Sequence, residues 1–257
     1  MATTRDSNGK SRSSIDLLWG DRNKPQRNPR PGLSAERIVA VAIELADAEG
    51  LEALSMQRVA GMLDFTTMSL YRYFPGKSQL IDVMMDAAAS SPPDLSEAAN
   101  WRERIEMWMS ALWERYQQHP WMLQVQVSGP PVGPNQLAWL EASLRSLRDT
   151  GLTHNEMLSI SLFLNGAVAG LARLTSDVAH AAAASGVDQQ DMNSEYAQTL
   201  ERLLDPERFP TLSAIVATGA FQAGDASGSD THGFTFALRR LLDGVEDYLE
   251  ERTRQRR

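Results

Sequence analysis

SMQRVAGMLDFTTMSLYRYFPGK occupies residues 55–77, and its spacing predicts two short helices joined by a tight turn. Ser55 is a good N-cap, because its hydroxyl can accept from one of the amides that a helix start leaves unpaired. Met56, Val59, Ala60 and Leu63 recur at helical spacing and give the first helix one apolar side. Asp64 and Phe65 interrupt the repeat. Thr66 is placed to cap a second helix in which Leu70 and Phe74 face inward, with Phe65 and Leu70 set as a hydrophobic staple. Met68, Ser69, Tyr71 and Arg72 are left pointing outward, a face suited to a DNA major groove. Pro75-Gly76 breaks the helix. Lys77 follows at the start of the next one, where free amides and a cation both favour a phosphate.

Working outward, residues 34–49 form the clearest amphipathic helix, with Ser34 as cap, Ile38, Val41, Ala42, Leu45 and Ala46 on one face, and Gly50 as the stop. A connecting helix spans 77–89 and ends at Ser90-Ser91-Pro92-Pro93. Beyond it the chain reads as helix throughout: 101–118, 135–149, a long helix opened by a Thr153/Glu156 capping box, then 192–204, 211–221 and 234–252. The long helix is apolar nearly all round over 158–168 and is expected to be central. No strand and no internal repeat is expected. The fold class is therefore all-α: a helix-turn-helix head (32–79), preceded by a flexible basic arm (1–31) and followed by an all-helical body (80–257).

Charge divides along the same lines. The chain carries −8 overall, yet residues 1–32 hold seven basic against three acidic side chains, and residues 65–79 hold Arg72 and Lys77 with no acid. Only a docking face has to be electropositive for DNA to bind, so an acidic body is no obstacle. The arm reads equally as a contact to DNA backbone or minor groove and as an ordinary terminus. There is no cysteine, which excludes disulfides, thiolate catalysis and cysteine zinc sites. No signal peptide and no stretch long enough to span a bilayer is read, so a cytoplasmic protein without membrane association is expected.

From Pro31-Gly32-Leu33-Ser34 through Met68-Ser69-Leu70-Tyr71-Arg72-Tyr73 to Pro75-Gly76-Lys77, about fifty residues closely resemble the DNA-binding domain of the tetracycline-repressor (TetR) family. One departure is Asp64, where the family usually has glycine in a left-handed turn; Asp tolerates that backbone better than most residues. The body resembles the family's ligand-binding and dimerisation domain more weakly, through His119-Pro120-Trp121, Asn165-Gly166 and Asp205-Pro206. The resemblance implies a homodimer joined by a four-helix bundle of the long and last helices, a double-stranded DNA operator and a small-molecule effector. It also places Gln57, Arg58, Thr67, Met68, Ser69, Tyr71, Arg72, Tyr73 and Lys77 at DNA-contact positions. Arg72 suits a guanine edge and Met68 a thymine methyl, while Tyr71, Tyr73 and Lys77 suit phosphates. Packing is the alternative role for Tyr73.

Trp108, Leu112, Trp121, Trp139 and Phe163, with Gln124 or Asn165 as polar anchors, could line an apolar ligand pocket; helical core is the plainer reading of each one. Neither His119, His154, His180 nor His232 has a partner at metal spacing, so no metal and no cofactor is expected. No catalytic constellation is visible, and an enzyme is disfavoured. A ligand-responsive transcriptional regulator, a repressor in most of the family, is the first reading. A DNA-binding architectural protein without a ligand is the second.

Overall fold

The computed structural model describes residues 14–20, 32–125, 130–186, 188–221 and 231–255, and no strand occurs among them. The first helix lies inside the stretch expected to be a flexible arm. This is α1 (Ser14–Trp19), which packs against the connecting helix. Leu18 is buried there, the Ser14 hydroxyl bonds the Asp82 carboxylate, and the Trp19 indole N–H donates to the Val132 carbonyl at 2.6 Å. Every basic residue of the arm falls outside the described residues.

The head is built as its caps require. In α2 (Ala35–Glu49) the Ser34 hydroxyl accepts from the Arg37 amide at 3.2 Å, and Gly50 ends the helix with φ 82°. In α3 (Met56–Met62) Ser55 accepts from the Arg58 amide at 3.2 Å. The second helix of the pair, α4 (Thr67–Leu70), is shorter than its repeat suggests. Pro75 disfavours helical backbone in the residue before it. The chain therefore tightens, and the amides of Tyr73 and Phe74 both donate to the Leu70 carbonyl at 2.9 Å. Thr66 holds the N-cap position, but its hydroxyl pairs with that of Ser69 at 3.0 Å instead of capping an amide.

Three helices follow: α5 (Lys77–Ala89), α6 (Trp101–Gln118) and α7 (Pro134–Leu147). Asn100 caps α6 through the Glu103 amide at 2.9 Å. The connector α5 packs against α1, α2 and α7 alike. Its Asp86 is fully buried, and one carboxylate oxygen accepts from the amides of Asn135 and Gln136 at 2.9 and 3.0 Å. A carboxylate from one helix thus caps the start of another. At the opposite end of α2, one oxygen of Asp47 pairs with His119 Nδ1 at 2.8 Å and accepts from the Trp121 indole at 2.7 Å.

Helix α5 bonds to both sides. The two compact units of the chain are 1–169 and 170–257, and the division falls within α8 (His154–Ser185). The Thr153/Glu156 box opens that helix as read, with the Glu156 carboxylate accepting from the Thr153 amide at 2.6 Å. The second unit adds α9 (Gln189–Leu203), α10 (Pro210–Ala217) and α11 (Thr231–Gln255). There α9 packs on α10, and Tyr196 meets Phe221 edge-on at 5.8 Å.

Two expectations about α8 need correction. Leu158, Leu162, Phe163, Leu171 and Leu174 are exposed, so the helix is not buried all round. Between His154 and Ala179 it is also long and apolar enough to cross a membrane by length and composition, with a mean hydropathy of 1.5. Its apolar residues lie on exposed as well as buried sides of the helix.

Asp64 has φ 60°, the left-handed conformation expected of the turn. Replacing it with glycine removes the steric cost of a Cβ there, and Asp64→Gly is expected to stabilise the head by about 0.5–1 kcal/mol. Chemical denaturation of the two proteins checks this. A loss of stability would show instead that the Asp64 carboxylate makes a specific contact.

Candidate functional site

The α3–α4 pair presents one open face. Met68 is 70% exposed and Tyr71 45%, while Gln57, Arg72 and Lys77 are also exposed and Thr67 is half-buried at the start of α4. Met62, on α3, adds an exposed apolar side chain that the repeat did not single out. Arg58 is exposed but engaged: its guanidinium meets Glu49 at 2.5 Å and the Ala53 carbonyl at 3.4 Å. The hydrogen bond to Arg58 holds the Glu49 carboxyl below its ordinary range and raises Arg58 in return. A phosphate reaching Arg58 therefore competes with Glu49.

Two expected contact residues do not face outward. Ser69 is buried, with its hydroxyl bonded to Thr66 across the first turn of α4. Tyr73 is only 7% exposed, and its hydroxyl donates to the Leu33 carbonyl at 2.7 Å. The tightened turn before Pro75 swings Tyr73 inward, where it ties the end of the helix pair to the entry of α2. In this position its ring and hydroxyl are engaged in packing within the head.

The expected ligand residues are divided between buried and exposed positions. Trp108 is 2% exposed; its N–H donates to the Trp139 carbonyl at 3.0 Å and its ring meets Trp139 edge-on at 6.1 Å. Trp139 in turn donates to the carbonyls of Ala89 and Ser90 at 2.9 and 3.1 Å. Trp121 is spent on Asp47. These indoles and Leu112 are core residues; Trp108 and Trp139 join α5, α6 and α7 through their N–H groups, and Trp121 bonds α2. Gln124, Phe163 and Asn165 lie at the surface, Phe163 being 62% exposed. His154 is exposed, and the side chains of His180 and His232 lie outside the described residues.

Residues 38–84 match the family described as bacterial regulatory proteins, tetR family, and residues 92–249 match the tetracyclin repressor-like C-terminal domain. The second match alone covers more than half of the chain. The chain belongs to the TetR family. It is 35% identical over 254 residues to the HTH-type transcriptional repressor DrrR1 of Streptomyces coeruleorubidus, covering 98% of this chain and 91% of that one. Apo ActR from Streptomyces coelicolor shares the fold, with a TM-score of 0.71 at 24% identity over 87% of this chain and 99% of ActR. ActR in complex with actinorhodin gives a TM-score of 0.70 at 25% identity, over 84% of this chain and 96% of ActR.

Membership of the TetR family makes the chain a DNA-binding transcriptional regulator and not an enzyme. The family match stops at residue 84 and resumes at 92, so the break lies at the end of α5, where Trp139 bonds the last carbonyls of that helix. The Tyr73 hydroxyl gives the test of the head geometry. Tyr73→Phe keeps the ring and loses one buried hydrogen bond, so stability is expected to fall by about 1 kcal/mol with DNA affinity unchanged. Denaturation and DNA-binding titrations check both halves. A loss of affinity common to all sequences would return Tyr73 to the contact surface.

Proposed function

We propose that this chain is a cytoplasmic, ligand-responsive repressor that binds a near-palindromic operator as a homodimer. The observation that carries the reading is the open face of Met68, Tyr71 and Arg72 beside Lys77, in a stretch with no acidic residue between 65 and 79. Arg72 reads a base edge, because a guanidinium can pair with two acceptors of guanine. Tyr71 and Lys77 hold phosphates and set the register of the helix in the groove. Gln57, Thr67 and Arg58 flank this face, with Arg58 shared between DNA and Glu49.

Dimerisation supplies the partner for the exposed apolar face of α8. One head reads one half-site, so a two-fold dimer matches a two-fold operator. A second protomer, and not a bilayer, then covers Leu162, Phe163 and Leu174. The repressor reading is supported by the likeness to DrrR1 along nearly the whole chain, and the ligand-responsive reading by the likeness to ActR, which forms a complex with actinorhodin.

Arg72→Ala is expected to lower affinity for the specific operator by about 1–3 kcal/mol and to relax preference at one base pair per half-site. Lys77→Ala should weaken all sequences alike and flatten the salt dependence. Titrations on the operator recovered by genome-wide footprinting separate the two. Indistinguishable base preferences in the two variants would overturn the assignment.

A charge on the open face of α8 tests the dimer. Phe163→Glu and Leu174→Glu alter exposed positions and leave the protomer folded. Sedimentation is expected to show dimers for the parent protein and monomers for the variants. A dimer that survives both changes would move the interface away from α8.

A further inference from the structure

Between Arg37 and Arg72 the chain holds one lysine or arginine, Arg58, against five acids: Glu44, Asp47, Glu49, Glu52 and Asp64. The first helix of the pair, α3, therefore has a single cation to offer. In a helix-turn-helix that helix crosses the sugar-phosphate backbone while the second enters the groove. Arg58 is the residue of α3 whose charge suits that role, and in the protein free of DNA it is already taken by Glu49 at 2.5 Å.

The pair is not explained by the helices that carry it. Glu49 is the last residue of α2, where the helix dipole disfavours a carboxylate, and Arg58 lies in the first turn of α3, where it disfavours a cation. Position 58 is also three residues after the Ser55 cap, the place at which a glutamate or glutamine completes a capping box by reaching back to the cap amide. An arginine cannot accept that bond. Its guanidinium turns instead to Glu49 and to the Ala53 carbonyl at 3.4 Å, in the segment joining α2 to α3. Local helix preference is overridden at both positions, and the result is a cation held by a carboxylate.

The hold is reversible. The side chains of Arg58 and Glu49 keep 44% and 50% exposure, and an ion pair so open to water is weak. A DNA phosphate can approach the same guanidinium from solvent, and its oxygens match the fork as well as those of a carboxylate. Each phosphate contact that Arg58 makes therefore breaks the bond to Glu49 and leaves that carboxylate unpaired.

We propose that Glu49 is a positioning residue for DNA binding: by holding Arg58 it withholds the one backbone contact that α3 can make through a cation, and so limits affinity for DNA of every sequence. This rests on the reading of α3 and α4 as the docking pair. A phosphate contact carries no base information. Withholding one loosens the grip of non-operator DNA, and a larger share of operator affinity then falls to the base edges read from α4.

Glu49→Gln removes the charge at an exposed position and keeps the fold. Salt titrations of the full chain, parent and variant, on the footprinted operator and on a scrambled duplex of equal length test the proposal. The variant is expected to bind both duplexes more tightly at low salt, with a salt slope steeper by up to about 0.9, the value of one phosphate contact. Its advantage should shrink by up to roughly threefold between about 50 and about 200 mM salt. Two controls isolate Arg58. Glu52→Gln removes an exposed acid from the same segment and should leave the slope unchanged. In an Arg58→Gln background, Glu49→Gln should no longer steepen it. An unchanged slope in Glu49→Gln would overturn the proposal. The same gain from Glu52→Gln, or in the absence of Arg58, would also overturn it by reducing the effect to bulk charge. A parent protein that treats operator and scrambled DNA alike defeats the docking reading, and the role of Glu49 with it.

Discussion

The buried carboxylate of Asp86 is the interaction on which the first unit depends. Removing a charge from water is costly unless its lone pairs are met, and here the first amides of α7 meet one oxygen at hydrogen-bond distance. The Asn135 side chain returns a bond to the Asp86 carbonyl at 2.9 Å, so the two helices hold each other at both ends of one residue. Gly133 makes the approach possible. A Cβ at that position would lie 2.1 Å from the carboxylate oxygen, so a larger residue there would displace the Asp86 side chain or the loop. The connector is thereby locked to α7, and α7 carries the tryptophan that holds the connector's far end.

The same demand for partners governs the buried indoles. An indole buried among helices must find an acceptor for its N–H. Trp108, Trp121 and Trp139 find theirs in Trp139 itself, in Asp47 and in the final carbonyls of α5. Each bond crosses from one helix to another. The tryptophans act as struts between the segments they join.

The helices and most of their ends were legible because they are local. Ser34, Ser55 and the Thr153/Glu156 box each act within four residues, and the left-handed turn at Asp64 follows from the geometry of the helix pair. What the sequence hid was long-range. The bond of Tyr73 to Leu33 spans 40 residues, Asp47 to His119 spans 72, and Trp19 to Val132 spans 113. No periodicity announces them. The same blindness affected α8, whose all-round apolar character says that it is covered but not by which chain.

The short helix α1 has a practical consequence. N-terminal residues ahead of a helix-turn-helix head are commonly trimmed or replaced by a purification tag on the assumption that nothing depends on them. Here such trimming would strip Leu18 from its seat on α5, leave Asp82 without the Ser14 hydroxyl and free the Val132 carbonyl one residue from Gly133. The shortened protein would fold with its connector and the α7 entry less tightly fastened. Binding constants obtained on it would describe a looser molecule than the full chain.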